Sequence, residues 1–128
     1  MFNIEKNSFD GITLGQSKEE IDKTEFDKSL YYLEFEEQNG RQVLVTISVR
    51  DLKGFKLNDK EINFDNLETF LEEENPFVDD NILVFPKYNL TLIPDFKGKL
   101  FAEILVYDES VKELYEESYD DYYLNLKK

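Results

Sequence analysis

Asn39-Gly40 lies between two runs of strand-like periodicity, and no other dipeptide constrains this chain as strongly. A two-residue type I′ connection needs positive φ at both central positions, and Asn-Gly meets that need at little cost. The spacing predicts an antiparallel hairpin with arms at 30–37 and 42–50. In the second arm Val43, Val45, Ile47 and Val49 share one face at period two. Gln42, Leu44, Thr46 and Ser48 occupy the other, mixed face.

The segments on either side read as short elements. Ile12 and Leu14 alternate as on a strand that Gly15 breaks. Ser17-Lys18-Glu19-Glu20 has capping-box spacing. The Ser17 hydroxyl can accept from the Glu20 N–H, and the Glu20 carboxylate can return to the Ser17 N–H. A helix over 18–24 with Ile21 inward follows. A second unit begins near Phe55, where Leu57 and Ile62 flank a polar turn at 58–61. Asp65 or Asn66 caps a helix over 67–74 with Leu67, Phe70 and Leu71 as its apolar stripe. Asn75-Pro76 ends it, because the residue before proline leaves the helical region. Strands are expected at 82–85, 90–93 and 99–107, with Pro86 and Pro94 closing the first two and a turn over 95–98. Val111, Leu114, Tyr115, Ser118, Tyr119, Tyr122, Tyr123 and Leu126 keep helical spacing. They predict a helix over 110–126, capped by Ser110, docked on a sheet face and favoured at its end by Lys127-Lys128.

These elements make a single α+β domain over the 128 residues. Its architecture is an antiparallel sheet with two short helices and a C-terminal helix. Ile12, Leu14 and Ile21 match Ile62, Phe64 and Leu71 at equal offsets, which raises tandem strand-helix-hairpin repeats at 9–50 and 55–107.

Charge is the other informative feature. Acids number 29 against 15 bases, for a net charge of −14. Residues 65–80 hold seven acids and no base, and residues 108–121 hold seven acids and one base. Nearly all the excess therefore sits in two segments. A phosphate-binding surface needs a basic footprint, so direct nucleic-acid binding is not expected. Histidine and cysteine are both absent. That removes the commonest general base, the usual metal ligands and any disulfide. No glycine-rich phosphate loop and no calcium-loop spacing occurs. We expect no enzyme, no cofactor and no metal. The opening residues lack a basic region followed by an apolar run, and no stretch reaches the roughly 18 apolar residues of a spanning helix. The expectation is a cytoplasmic protein that does not engage membranes.

The residues Gly11-Ile12-Thr13-Leu14-Gly15-Gln16-Ser17-Lys18-Glu19-Glu20-Ile21 resemble the opening of a class of small bacterial α+β proteins. In these a short strand ending in Leu-Gly precedes a Ser-Lys-Glu-Glu helix and antiparallel strands. The β-lactamase-inhibitor-protein-like repeat fold and many toxin-immunity proteins open this way. The resemblance implies inhibition by binding and transfers no functional residues.

Complementary charge raises association rate and specificity. The leading expectation is thus an immunity or inhibitor protein that neutralises a basic bacterial toxin domain, such as a nuclease. The expected interface comprises Glu72, Glu73, Glu74, Asp79, Asp80, Glu113, Glu116, Glu117, Tyr119, Asp120, Asp121 and Tyr123. Tyr115 and Tyr122 are expected in the core. The alternatives are an acidic nucleic-acid mimic or anti-defence protein of phage, and a structural or adaptor domain whose charge serves solubility.

Overall fold

A computed structural model describes residues 8–9, 11–57, 59–116 and 121–126. A short hairpin, β1 (Ser8–Phe9) and β2 (Ile12–Thr13), leads into α1 (Lys18–Asp22). The long hairpin follows as β3 (Tyr31–Gln38) and β4 (Arg41–Leu52). Asn39 and Gly40 take φ of 52° and 77° at its tip, as the type I′ turn demands. The second unit repeats the order of hairpin then helix: β5 (Gly54–Leu57), β6 (Lys60–Asn63) and α2 (Leu67–Glu74). Then come β7 (Phe77–Asp79), β8 (Ile82–Phe85), β9 (Leu90–Asp95) and β10 (Leu100–Tyr107). The chain continues through a 3-10 turn into α3 (Lys112–Glu116), then β11 (Asp121–Tyr122) and α4 (Tyr123–Leu126).

Seven strands form one antiparallel sheet in the order β11-β7-β8-β9-β10-β4-β3. Directly paired residues share a face, so the register identifies both layers. One row runs Val78, Leu83, Leu92, Ile104, Val49 and Tyr31; the next runs Phe85, Leu90, Val106, Ile47 and Leu33. These rows face the main core with Ile12, Ile21, Phe55, Leu67, Phe70 and Leu71 from the hairpins and helices. Phenylalanines join those layers. Phe55 meets Phe101 edge-on at 5.3 Å, and Phe70 stacks on Phe85 at 5.3 Å. Such pairs add about 0.5–1.5 kcal/mol beyond their buried area.

The predicted capping box forms with one change. Ser17 Oγ accepts from the Glu20 N–H at 3.2 Å, but the Glu20 carboxylate receives the Ser17 hydroxyl rather than its N–H. α2 spans the predicted residues. Asn66 gives it no side-chain cap, because its amide is committed to Asn63 N–H and Glu61 C=O. Asn75 ends the helix in the left-handed region, its N–H donating to Leu71 C=O.

Four expectations fail for identifiable reasons. The face assignment in β4 breaks at a bulge: Glu34 pairs with Thr46 and Phe35 with Leu44, leaving Val45 as the extra residue. A bulge exchanges the faces on its two sides. Leu44, Ile47 and Val49 therefore enter the main core, while Val45 joins Tyr107 and Val111 in a smaller cluster. Pro94 lies within β9 opposite Phe101 rather than closing the strand. Asp108, not Ser110, caps the turn after β10, accepting from the Ser110 N–H and hydroxyl.

The fourth is the continuous helix over 110–126. The chain is helical only at 112–116 and 123–126 among the described residues, and Asp121-Tyr122 pairs with Val78-Phe77 at the sheet edge. Tyr123 N–H donates to Pro76 C=O and Leu124 N–H to Asn75 Oδ1. Tyrosines and aspartates are weak helix formers, and the unpaired edge of β7 offers their backbone another set of partners. The helical phase does not run through, so Tyr122 is 43% exposed while Tyr123 packs against the core. That reverses the expected roles of these two rings. Lys127 and Lys128 lie outside the described residues.

Candidate partner-binding surface

The second face of the sheet is where side chains capable of recognition gather. Its central row runs Phe77, Val84, Thr91, Leu105, Ser48 and Tyr32 across six strands, and Tyr122 extends it beyond Phe77. Val84, Thr91 and Ser48 are buried, whereas Tyr32 is 60% exposed. A neighbouring row runs Tyr107, Thr46 and Glu34. Glu103 pairs with Arg50 on the other side of the central row, and its carboxylate accepts the Ser48 hydroxyl at 2.9 Å.

α3 lies over one end of this face, held by four kinds of contact. Val111 is buried with Val45 and Tyr107. Tyr115 stacks on Tyr107. Lys112 Nζ donates to Pro86 C=O and Asn89 Oδ1, both at 2.9 Å. Tyrosine hydroxyls also bind carboxylates: Tyr107 donates to Glu116 at 2.7 Å and Tyr115 to Glu34 at 3.2 Å. With its proton committed to Glu34, Tyr115 accepts from the Thr46 hydroxyl at 3.1 Å. Burial pushes the Tyr107 phenol far above its ordinary range, helped by Glu116 and Glu109. Burial also raises Tyr115, against the opposing Thr46 hydrogen bond.

The expected interface residues are divided between two places. Glu72 and Glu73 project from α2 and are exposed, while Glu74 is half-buried and accepts the Tyr88 hydroxyl at 2.8 Å. Asp79 lies on β7 beside Phe77, and Asp80 occupies the turn after it with φ 56°. Asp121 sits on β11 against Val78 and accepts from Asn125. Asp79, Asp80 and Asp121 lie at the β7–β11 end of the sheet, which the chain enters from α2 through Asn75-Pro76. Glu113 and Glu116 belong to α3, where Glu113 is exposed and Glu116 is tied to Tyr107 and Lys112. Glu117, Tyr119 and Asp120 lie outside the described residues.

Sequence reasoning missed Tyr32, Glu34, Glu36 and Glu103. They lie outside the two acid-dense segments, so a charge count passes over them. The available signal was alternation: Leu33 and Phe35 interleave with Glu34 and Glu36, which places the acids on the face away from the core. Of these, Glu34 accepts the Tyr115 hydroxyl and Glu103 the Ser48 hydroxyl.

Chemically this surface offers hydrogen-bond acceptors and aromatic rings. Among the described residues, no three histidine, cysteine, aspartate or glutamate side chains are grouped so that they could hold a metal ion. No described helix is long and apolar enough to cross a membrane. No protein-family model, curated protein or solved structure matches this chain.

Proposed function

We propose that this protein is an inhibitor of the immunity type, binding a basic protein partner such as a toxin domain. One observation carries the reading. A single sheet face carries Glu34 and Glu36 of β3 and Glu103 of β10 on the side where Tyr32 is exposed, and α3, with Glu113 exposed and Glu116 bonded to Tyr107, is tied to that face through Tyr115 and Glu34. Carboxylates beside accessible tyrosine rings suit lysine and arginine, through charge-assisted hydrogen bonds and cation–π contact. Grouping them on one face also concentrates self-repulsion, which a cationic partner relieves. The Leu-Gly-Gln-Ser-Lys-Glu-Glu opening, in which Ser17 Oγ accepts from the Glu20 N–H, supports the same class.

The test starts by capturing the partner from host lysate and purifying it. Titration calorimetry then compares the natural protein with an E36K/E113K variant at low and high salt. Both positions are exposed, so the variant keeps its fold. Tight binding at low salt, weakened by the variant chiefly through association rate, supports the proposal, as does loss of the partner's toxicity on co-expression. Equal low-salt affinity for both proteins removes this face from the interface.

A further inference from the structure

We propose that the outer edge of β3 receives an extended segment of the basic partner as an eighth strand of the sheet. The proposal rests on the basic-partner reading above and specifies how the partner is held. β3 is a terminal strand of eight residues, and no strand among the described residues pairs with its other side. Natural edges are blunted by charged side chains, above all lysine, by proline or by a bulge. β3 contains neither lysine nor proline and the bulge in its hairpin falls on β4, so the guards it carries are Glu34, Glu36 and Glu37, which repel an acidic strand and admit a basic one.

The two faces of the edge differ, which defines the occupant. On the core side a recess of about 230 Å³ opens beside β3. Ile21, Phe26, Tyr31, Leu33 and Phe35 line it together with Asp22 and Lys28. On the other side stand Glu34 and Glu36, flanked by Tyr32. An added strand presents its side chains alternately to these faces. The fitting segment alternates apolar residues, which enter the recess, with lysine or arginine, which meet the glutamates. Backbone hydrogen bonds supply affinity and the alternating side chains supply specificity. A second copy of this chain fits poorly. The two fullest antiparallel registers of β3 with itself set Glu34 against Glu34 or against Glu36, and like charges directly opposite destabilise a pair.

The experiment uses the full chain and a synthetic peptide alternating lysine and valine, capped at both ends. One control has the same composition arranged in blocks, and another replaces lysine by glutamate. Binding is followed with amide hydrogen exchange along 31–38. The expected result is slowed exchange in β3 with the alternating basic peptide alone, and about tenfold or more weaker binding to a Y32K/E36K variant. Equal binding of the alternating and blocked basic peptides, with β3 exchange unchanged, overturns strand addition and leaves the basic-partner reading standing. Binding of the glutamate peptide equal to that of the basic one overturns the charge assignment. Protection of β3 that grows with protein concentration in the absence of peptide makes a second copy the occupant and overturns the proposal. Strand addition by the peptide, alongside no effect of E36K/E113K on the captured partner, keeps the edge site and removes the carboxylate face from the captured partner's interface.

Discussion

Tyr115 stacks on Tyr107 with ring centroids 4.7 Å apart and planes 19° from parallel, and their hydroxyls donate to carboxylates on different elements. Tyr107 reaches Glu116 on α3 itself, while Tyr115 reaches Glu34 on β3. The stacked pair thus joins α3 to strands β10 and β3. Replacing Tyr107 by Phe keeps the stack and deletes one charge-assisted hydrogen bond. The expected loss is about 1–2 kcal/mol, read as a lower urea midpoint with unchanged slope. A double-mutant cycle with Glu116→Gln should return a coupling of about 1 kcal/mol.

Alkaline pH should unfold this protein cooperatively. Burial, with the neighbouring Glu74, pushes the Tyr88 phenol up to about 12, and Tyr107 and Tyr115 are raised as well. A folded value above the unfolded one, near 10, means that stability is fully present below pH 10. It is lost as pH rises through the folded value, because the unfolded chain releases those protons first. For Tyr88 the window runs from about pH 10 to about 12. Phenolate absorbance and circular dichroism should change together for these rings. Ionisation of these three rings before any change in dichroism would contradict the burial argument.

Lys112 is the pin of α3. Its ammonium binds the turn between β8 and β9 through Pro86 C=O and Asn89 Oδ1 and lies 3.6 Å from Glu116. Lys112→Met preserves the aliphatic stem and removes the donors. We expect faster amide exchange over 112–116 and a stability loss of about 1–2 kcal/mol, tempered by partial exposure of the side chain. Unchanged exchange in α3 would mean that Val111 and Tyr115 alone hold it.

Salt should stabilise the protein. With a net charge of −14, screening relieves more repulsion than attraction. The midpoint of urea unfolding should rise from low to high sodium chloride. The E36K/E113K variant should start higher at low salt and depend less on it. A natural protein insensitive to salt would show that the acids are too dispersed to repel one another.

At the hairpin tip, Gly40→Ala imposes a side chain at φ 77° and should cost about 1 kcal/mol. Gly15→Ala, also at positive φ and, like Gly40, with open space where a Cβ would stand, should cost a similar amount through backbone strain alone. Thermal midpoints of the two variants measure both effects.

The local elements follow from neighbouring residues. Asn39-Gly40 set the long hairpin, Ser17 and Glu20 set the start of α1, and Leu67, Phe70 and Leu71 set α2 with its end at Asn75. Each is specified by residues a few positions apart, where turn chemistry, capping and periodicity act directly. The outward position of Glu34 and Glu36 was equally legible from alternation with Leu33 and Phe35, although the clustered acids elsewhere drew attention away from it.

The remaining features depend on contacts between distant parts of the chain. Whether 121–122 become strand or helix depended on β7, more than 40 positions away, presenting an unpaired edge and the Phe77 ring. The bulge at Val45 depended on how β3 and β10 pair with both sides of β4, and it moved Leu44 into the core against simple alternation. Glu34 and Glu116 came to flank the same tyrosine stack because α3 folds back over the sheet. Local sequence fixes dihedral preferences residue by residue. Partners distant in the chain decide which of two nearly equal local choices is kept, because only they supply the hydrogen bonds and buried area that separate the two.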